Sequence, residues 1–208
     1  MAIERIVYSV SHGYENVERA NSLISPHVTS NNKVGLEVSE ADLKLYNEIN
    51  SRGLSPNDTK KALLDAMIER HDYDYSGREE ELPQPLSAAL FWHSMYGDLK
   101  QSGAEIKGLG SEKRIRLLNQ YANDHSHEAF MMYHLISGPH FDNLLTERIL
   151  ENGFDRVVIG LGHAAKVADK TGSKLVVIDG LPLDLKEMND AFEREYQSGR
   201  YTLPDLRD

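Results

Sequence analysis

Five short apolar segments, separated by longer stretches with helical spacing, constrain the fold more than any other feature of the sequence. Each has the length of a buried strand, and the first, RIVYSV, is a β-branched run. Strands that alternate with helices are typical of an α/β fold with a mostly parallel sheet and flanking helices. The predicted strands are residues 5–10, 33–38, 104–110, 156–162 and 174–180.

The stretch between the first two predicted strands has its apolar residues on one helix face. A strand–helix–strand unit of this length predicts two parallel strands that pair with each other through a right-handed crossover. Residues 54–140 are largely helical, and we interpret them as a helical insertion or cap. The length of 208 residues suits a single α/β domain over residues 1–208.

Composition excludes several classes of protein. The chain has no cysteine, which removes disulfides, cysteine–zinc sites and thiol nucleophiles and fits a reducing compartment. The formal net charge is −10, from 33 acidic and 23 basic residues, and such a surface repels nucleic-acid backbones.

Glu4 and Arg5 interrupt the N-terminal apolar stretch, so it lacks the apolar region of a signal peptide. No apolar run approaches the ~20 residues of a membrane-spanning helix. We therefore expect a cytoplasmic protein without a membrane partner, and the oligomeric state stays open.

Three polar residues follow the ends of predicted strands. They are His12 in YSVSHGYE, Glu37 in VGLEVSE and His163 in IGLGHAA. The carboxyl ends of parallel strands meet at one crevice, where ligands collect, so we expect these side chains to converge there. Taken singly, either histidine is explained as a cap of its own helix, and Glu37 as a surface charge. Their equivalent positions favour a shared site, which suits water activation or binding of Zn, Mn, Co or Fe.

The segments around these residues resemble the TraB/Tiki family. YSVSH resembles the family's first strand followed by x-x-His, and KVGLE resembles the strand that delivers a glutamate. LLTERILENGFDRVVIGLGH resembles its second element, Gly-x-x-His after a helix. The stretch from SHGYENVERANSLI to VGLE is also similar to the start of the related erythromycin-esterase and ChaN-like proteins. The resemblance covers residues 3–50 and 141–180.

The resemblance implies an α/β core with two histidines and a glutamate in one cleft. Tiki-like members are metal-dependent proteases and the esterase members are hydrolases, while many others have no settled activity. By position, the family's catalytic and metal-binding residues fall on His12, Glu37 and His163. The resemblance therefore implies a hydrolase with a small-molecule or peptide substrate.

This chain departs from the family at two places. Ser9 stands where the family usually has glycine, and Phe141 stands where it usually has an arginine, although Asp142 matches the residue that follows. A missing arginine weakens oxyanion or carboxylate stabilisation, so a non-catalytic binding or signalling relative is an alternative. Arg114 or Arg116, just beyond the third predicted strand, is a candidate substitute.

Another alternative is a nucleotide- or dinucleotide-binding protein. Gly160-x-Gly162-x-x-Ala165 follows a predicted strand and opens a helix, and Asp179 ends the next strand, where a ribose-binding acid belongs. Against this interpretation, the fingerprint normally opens its domain, whereas here it lies near the end of the sequence. The imidazole that follows the second glycine also crowds the approach of a pyrophosphate.

A second group of histidines lies in the segment DHSHEAFMMYHLISGPH, at His125, His127, His134 and His140. His127 and His134 share a helix face but are two turns apart, too far to bind one metal directly. We interpret the group as a polar helix start with scattered histidines, of which His140 is expected nearest the cleft.

The sequence as a whole predicts a hydrolase of small ester or peptide bonds, although it does not establish that the protein is an enzyme. Either a divalent metal bound by His12, Glu37 and His163 lowers the pKa of a water molecule, or a histidine removes the proton while Glu37 fixes the tautomer of that histidine. The sequence leaves both mechanisms open.

Overall fold

The structure is a computed structural model that describes residues 4–71, 82–178 and 185–208. Each of the five predicted strands is present in it. None of the helices within these residues combines the length and apolarity needed to cross a membrane. The strands are β1 (Ile6–Val10), β2 (Lys33–Leu36), β3 (Glu105–Gly108), β4 (Arg156–Gly160) and β5 (Lys174–Val177). The helices are α1 (Val17–Ile24), α2 (Glu40–Ser51), α3 (Pro56–His71), α4 (Gln84–Gln101), α5 (Glu112–Ala122), α6 (His127–Ser137), α7 (Pro139–Asn152), α8 (Leu161–Thr171) and α9 (Leu185–Gln197).

The strands form one parallel sheet in the order β3-β2-β4-β1-β5, which confirms the predicted α/β fold. The prediction that β1 and β2 pair with each other is wrong, because β4 lies between them. Val157 of β4 is in register with Val7 on one side and Gly35 on the other. The apolar strand β4 is buried along almost its whole length, whereas β3 and β5 are only partly buried. Parallel strands buried on both faces suit the centre of a sheet, and partly exposed ones suit its edges.

Alternate residues of the sheet enter two separate apolar cores. Tyr8 and Val10 of β1 pack with α1, α2, α3 and α4 on one face. Val7 packs with α6, α7 and α8 on the other face, and the apolar side of α5 joins that core. Helices that precede β3 in the chain therefore cover one face, and helices that follow it cover the other. Residues 54–140, which we interpreted as a helical insertion or cap, supply α3 and α4 to the first layer and α5 and α6 to the second.

Polar caps fix where the helices beside the site begin. The side chain of Ser39 accepts a hydrogen bond from the backbone N–H of Asp42 at 3.0 Å, and the Asp42 side chain accepts one from the Ser39 backbone. Ser111 caps α5 in a similar way, through the N–H of Arg114 at 3.1 Å. Each cap satisfies backbone donors that the first helical turn leaves free. Both helices therefore start within a few residues of a strand end.

Candidate functional site

The strand order brings together the three residues that the sequence singles out. His12 follows the end of β1, Glu37 follows the end of β2, and His163 lies in the first turn of α8, directly after β4. Because β4 separates β1 from β2, its carboxyl end lies between the other two. The crevice at the carboxyl edge of the sheet therefore receives all three side chains.

Glu37 is at the centre of this group. Its side chain is only 9% exposed, and Oε2 accepts a hydrogen bond of 2.5 Å from the backbone N–H of Gly160. The other carboxylate oxygen, Oε1, lies 3.8 Å from Nε2 of His163. The backbone N–H of Glu37 donates to the carbonyl of Val158 at 3.1 Å. These contacts hold the carboxylate against the end of β4.

The charges around Glu37 keep it ionised. Burial is the largest influence and raises the pKa of Glu37, but His163, His12 and Arg114 lower it through their positive charges. The hydrogen bond from the Gly160 N–H lowers it further. The net effect is a pKa below the ordinary value of 4.5, so Glu37 is a carboxylate at neutral pH.

His163 is oriented by Asp142, a residue that the sequence analysis did not assign to the site. Its Nδ1 lies 2.6 Å from Oδ1 of Asp142, which is buried in the first turn of α7. A carboxylate accepts hydrogen bonds, so Nδ1 carries the proton and Nε2 is directed toward Glu37. The ring of Phe141 meets the His163 ring edge-on, with centroids 5.2 Å apart. In the sequence, the signal that pointed to Asp142 is the resemblance of its segment to the TraB/Tiki pattern.

His12 is held from two sides. Its Nδ1 lies 3.2 Å from the side-chain amide nitrogen of Gln84, the first residue of α4, and its ring is tilted against Trp92. Its opposite edge faces Gly160, where an added Cβ would lie 3.0 Å from His12 Nε2 and 3.2 Å from Glu37 Oε2. Glycine at position 160 therefore leaves the space that the imidazole and the carboxylate occupy.

A cavity of about 310 Å³ opens beside these residues. His12 and Glu37 line it, together with Trp92 and Phe141. His163 is absent from its wall but touches Glu37 and Phe141, which belong to it. The volume is at the lower end of the range of ~300–1,000 Å³ for small-molecule sites. The site therefore has an outer group that reaches the cavity and an inner pair, His163 and Asp142, behind it.

Arg114 also lines this cavity. Its guanidinium carbon lies 3.7 Å from the centroid of the Phe141 ring, and Nη2 donates to the carbonyl of Ser137 at 3.3 Å. Burial lowers the pKa of Arg114, while the negative charge of Glu37 is the largest of the opposing influences. Arg116 is exposed and does not line the cavity. Of the two arginines that the sequence offers as candidates, Arg114 is the one that lies beside Phe141.

The donor set gives limited support to a metal centre. Among residues 4–71, 82–178 and 185–208, no group of three or more histidine, aspartate or glutamate side chains is arranged to hold a metal ion. The residues predicted as ligands, His12, Glu37 and His163, are near one another but do not form such an arrangement. We therefore derive no catalytic step through a metal.

The second group of histidines does not reach the cavity. His125 and His127 are exposed. His134 stacks on Phe192 of α9, with centroids 4.6 Å apart and ring planes at 14°. His140, which we expected nearest the cleft, instead makes a 2.7 Å hydrogen bond to a backbone carbonyl of the C-terminal segment.

The glycine motif lies at a strand end, as a dinucleotide loop would. Gly160 is the N-cap of α8, and Gly162 and Ala165 lie in its first turns. The N–H of Gly160 is bonded to the Glu37 carboxylate, however, so an acidic group stands where a phosphate would bind. Asp179, the predicted ribose-binding acid, lies outside the described residues.

The fold and this group of residues define an α/β protein with a histidine–carboxylate site at the carboxyl edge of a parallel sheet. Comparison of the chain with protein-family models, with curated proteins and with solved structures finds no match in any of the three. The chemistry of the site is therefore the ground for a functional proposal.

Proposed function

We propose that the protein is a hydrolase that cleaves a small ester or peptide bond in the 310 Å³ cavity. The observation that carries this proposal is an ionised glutamate between two histidines at the wall of a cavity of substrate size. Such a set supplies a general base at neutral pH and a carboxylate that controls its tautomer. The resemblance to the TraB/Tiki family is consistent with it and belongs to the same proposal.

His12 is the base in this mechanism. The negative charge of Glu37 on the Nε2 side of the ring favours the tautomer with a proton on Nε2, which leaves Nδ1 able to accept a proton. Nδ1 faces the exposed side chain of Gln84, which lines the cavity. A water molecule that takes the place of the Gln84 amide gives a proton to Nδ1 of His12. Its oxygen at the same time bonds to the carbonyl carbon of the substrate. The leaving group then takes the proton from His12.

His163 and Asp142 position Glu37 rather than touch the substrate. The distance of 3.8 Å between His163 Nε2 and Glu37 Oε1 is too long for a direct hydrogen bond, but one water molecule is able to bridge it. The hydrogen bond of 2.6 Å to Asp142 fixes the ring in this orientation. The positive charge of His163 then helps to keep Glu37 ionised.

Two observations favour this proposal over the alternatives. The Glu37 carboxylate at the start of α8 repels a phosphate group, which weighs against nucleotide binding by the Gly160 loop. Arg114 supplies a positive charge at the cavity wall beside Phe141, which weakens the argument for a non-catalytic relative.

The test is hydrolysis of a panel of p-nitrophenyl esters and fluorogenic dipeptides by the wild-type protein and by His12→Ala. We expect His12→Ala to lose at least ~100-fold in rate, because general-base catalysis contributes about 10²–10⁴-fold. His127→Ala, which changes an exposed histidine, is the matched control and keeps the wild-type rate.

The same preparations distinguish the other mechanisms. Metal analysis and dialysis against EDTA report on the metal-dependent version, for which activity falls with the metal content. A rise in thermal stability with NAD favours the nucleotide-binding alternative. Absence of hydrolysis across the panel, or an equal rate in His12→Ala, contradicts the proposal.

A further inference from the structure

Arg114 is a cation with fewer hydrogen-bond partners than its guanidinium has donors. In the part of the chain that the structure describes, the guanidinium makes one hydrogen bond, from Nη2 to the Ser137 carbonyl, and its enclosed Nε has no partner. Glu37, Tyr133 and Asp142 attract its charge at longer range, yet the pKa of Arg114 is still lowered by burial.

The two acidic residues at the cavity wall, Asp42 and Glu37, already have partners for their negative charges. Asp42 pairs with Arg70 at 3.1 Å, outside the cavity lining. Glu37 accepts the N–H of Gly160 and lies between two imidazoles. Among the described residues that line the cavity, Arg114 is the only lysine or arginine. A negatively charged ligand in this cavity therefore has one strong partner.

The ring of Phe141 holds the guanidinium in place without neutralising it. A cation 3.7 Å from a ring centroid is attracted to the aromatic face, but its N–H donors around the edge stay available. Taking a cation out of water is costly unless an anion or several hydrogen bonds compensate for the loss. A carboxylate on the substrate provides the anion and the hydrogen bonds together, because it accepts two parallel hydrogen bonds from an arginine.

We infer that the substrate carries a carboxylate that pairs with Arg114. This inference rests on the proposed hydrolase function and names the substrate class for the same site. The cavity wall also includes the apolar side chains of Ile115, Leu118 and Trp92, which suit an apolar substrate body. A cavity of about 310 Å³ suits a small molecule. The substrate is therefore a small ester or amide with one negative charge and an apolar body.

The first test is binding of two probes of nearly the same shape, the anion 3-phenylpropionate and the neutral 3-phenylpropionamide, measured by calorimetry. We expect the carboxylate to bind wild-type protein at least ~10-fold more tightly than the amide, since hydrogen bonds between two charged groups are stronger than those to a neutral amide. Arg114→Gln abolishes this preference, and Arg114→Lys keeps part of it. Arg116→Gln, an exposed change in the same helix, keeps all of it.

Circular dichroism establishes that each variant is folded, and the comparison of Arg114→Lys with wild type remains informative if Arg114→Gln is not. Equal affinity for the two probes overturns the inference. So does a preference for the carboxylate that survives in Arg114→Gln, or the failure of wild-type protein to bind either probe at millimolar concentration.

A second measurement separates this inference from the proposed function. Carboxylate binding that depends on Arg114, with no hydrolysis of charged or neutral esters, supports the anion site and contradicts the hydrolase. Hydrolysis that depends on His12 but is equally fast for neutral and charged esters in wild type and Arg114→Gln supports the hydrolase and contradicts the anion site.

Discussion

His12 and His163 lie far apart in the sequence, yet both adjoin Glu37, whereas His125, His127, His134 and His140 are close in sequence but have different surroundings. The first pair follows strands that are neighbours in the sheet. The second group lies in a loop and in two successive helices, α6 and α7, which direct its members to solvent, to Phe192 of α9 and to the C-terminal segment.

The difference shows that the sheet edge, rather than closeness along the chain, assembles this site. Successive strand ends of a parallel sheet deliver side chains to one crevice. Successive residues of a helix rotate by about 100° each and leave in different directions. A cluster of histidines in sequence is therefore weaker evidence for a site than single histidines at equivalent strand ends.

Glu37→Gln is the change expected to have the largest effect. The amide keeps an acceptor for the Gly160 N–H but removes the negative charge between His12 and His163. We expect kcat for the best ester to fall by at least ~100-fold, with the fold intact by circular dichroism. If the variant retains the wild-type rate, the group at the strand ends, which is His12, Glu37 and His163, is no more functional than the four histidines of residues 125–140.

Glu37 also predicts a pH dependence of stability. Its folded-state pKa lies below the ordinary 4.5, so its ionisation stabilises the fold above about pH 4.5, and this stabilisation is lost as the pH falls through the lowered pKa. The difference in unfolding free energy between wild type and Glu37→Gln is therefore constant near neutrality and declines in acid. Urea denaturation between pH 3 and pH 7 measures it (about four pH values suffice). A difference that does not change with pH contradicts the ionisation that we assign to Glu37.

Gly160→Ala tests how tightly His12 and Glu37 pack against the end of β4. The new Cβ meets His12 at 3.0 Å and Glu37 at 3.2 Å, so we expect a loss of about 1–3 kcal/mol in unfolding free energy and a large loss of activity. Gly162→Ala is the matched control, since a Cβ there meets nothing within 4 Å, and it raises stability by about 0.5–1 kcal/mol. Equal effects of the two changes contradict the close approach at Gly160.

Asp142→Asn tests whether the inner pair acts through Glu37. The variant keeps an acceptor for His163 Nδ1 but removes the negative charge beside that ring. His163 is then held less firmly against Glu37, which weakens the control that Glu37 exerts on the His12 tautomer. We expect kcat to fall by about 10-fold with KM almost unchanged. A loss of unfolding free energy with an unchanged kcat assigns Asp142 a structural role only.

His134→Ala and His127→Ala are expected to have the smallest effects. His134 loses its stacking on Phe192, which costs about 0.5–1.5 kcal/mol in unfolding free energy. His127 is exposed and its replacement stays within about 0.5 kcal/mol. Neither change alters the hydrolysis rate, and a loss of activity in either one breaks the contrast between the two groups of histidines.

The sequence predicts the strands and the residues that follow them because both depend on local patterns. RIVYSV and RVVIGLG have the apolar composition of buried strands, and their ends identify His12 and His163. The order of the strands depends on contacts between distant segments, for which the sequence carries no local signal. The predicted pairing of β1 with β2 failed for this reason.

The partners of the site residues were also beyond local patterns. Gln84 lies on α4, Arg114 on α5 and Asp142 on α7, and each reaches the site through the packing of its helix on the sheet. The sequence suggested Arg114 only as one of two arginines after β3. The burial of Asp142 and its position against His163 follow from the way α7 packs beside α8.

The position of β4 has a consequence for how the chain folds. Among the described residues, β1 pairs with β4 and β5, whose residues lie beyond position 155, and not with the strands that lie between them in the sequence. An early intermediate that contains the amino-terminal half therefore exposes both hydrogen-bonding edges of β1. Ladders between such distant segments form slowly and leave nascent chains prone to self-association.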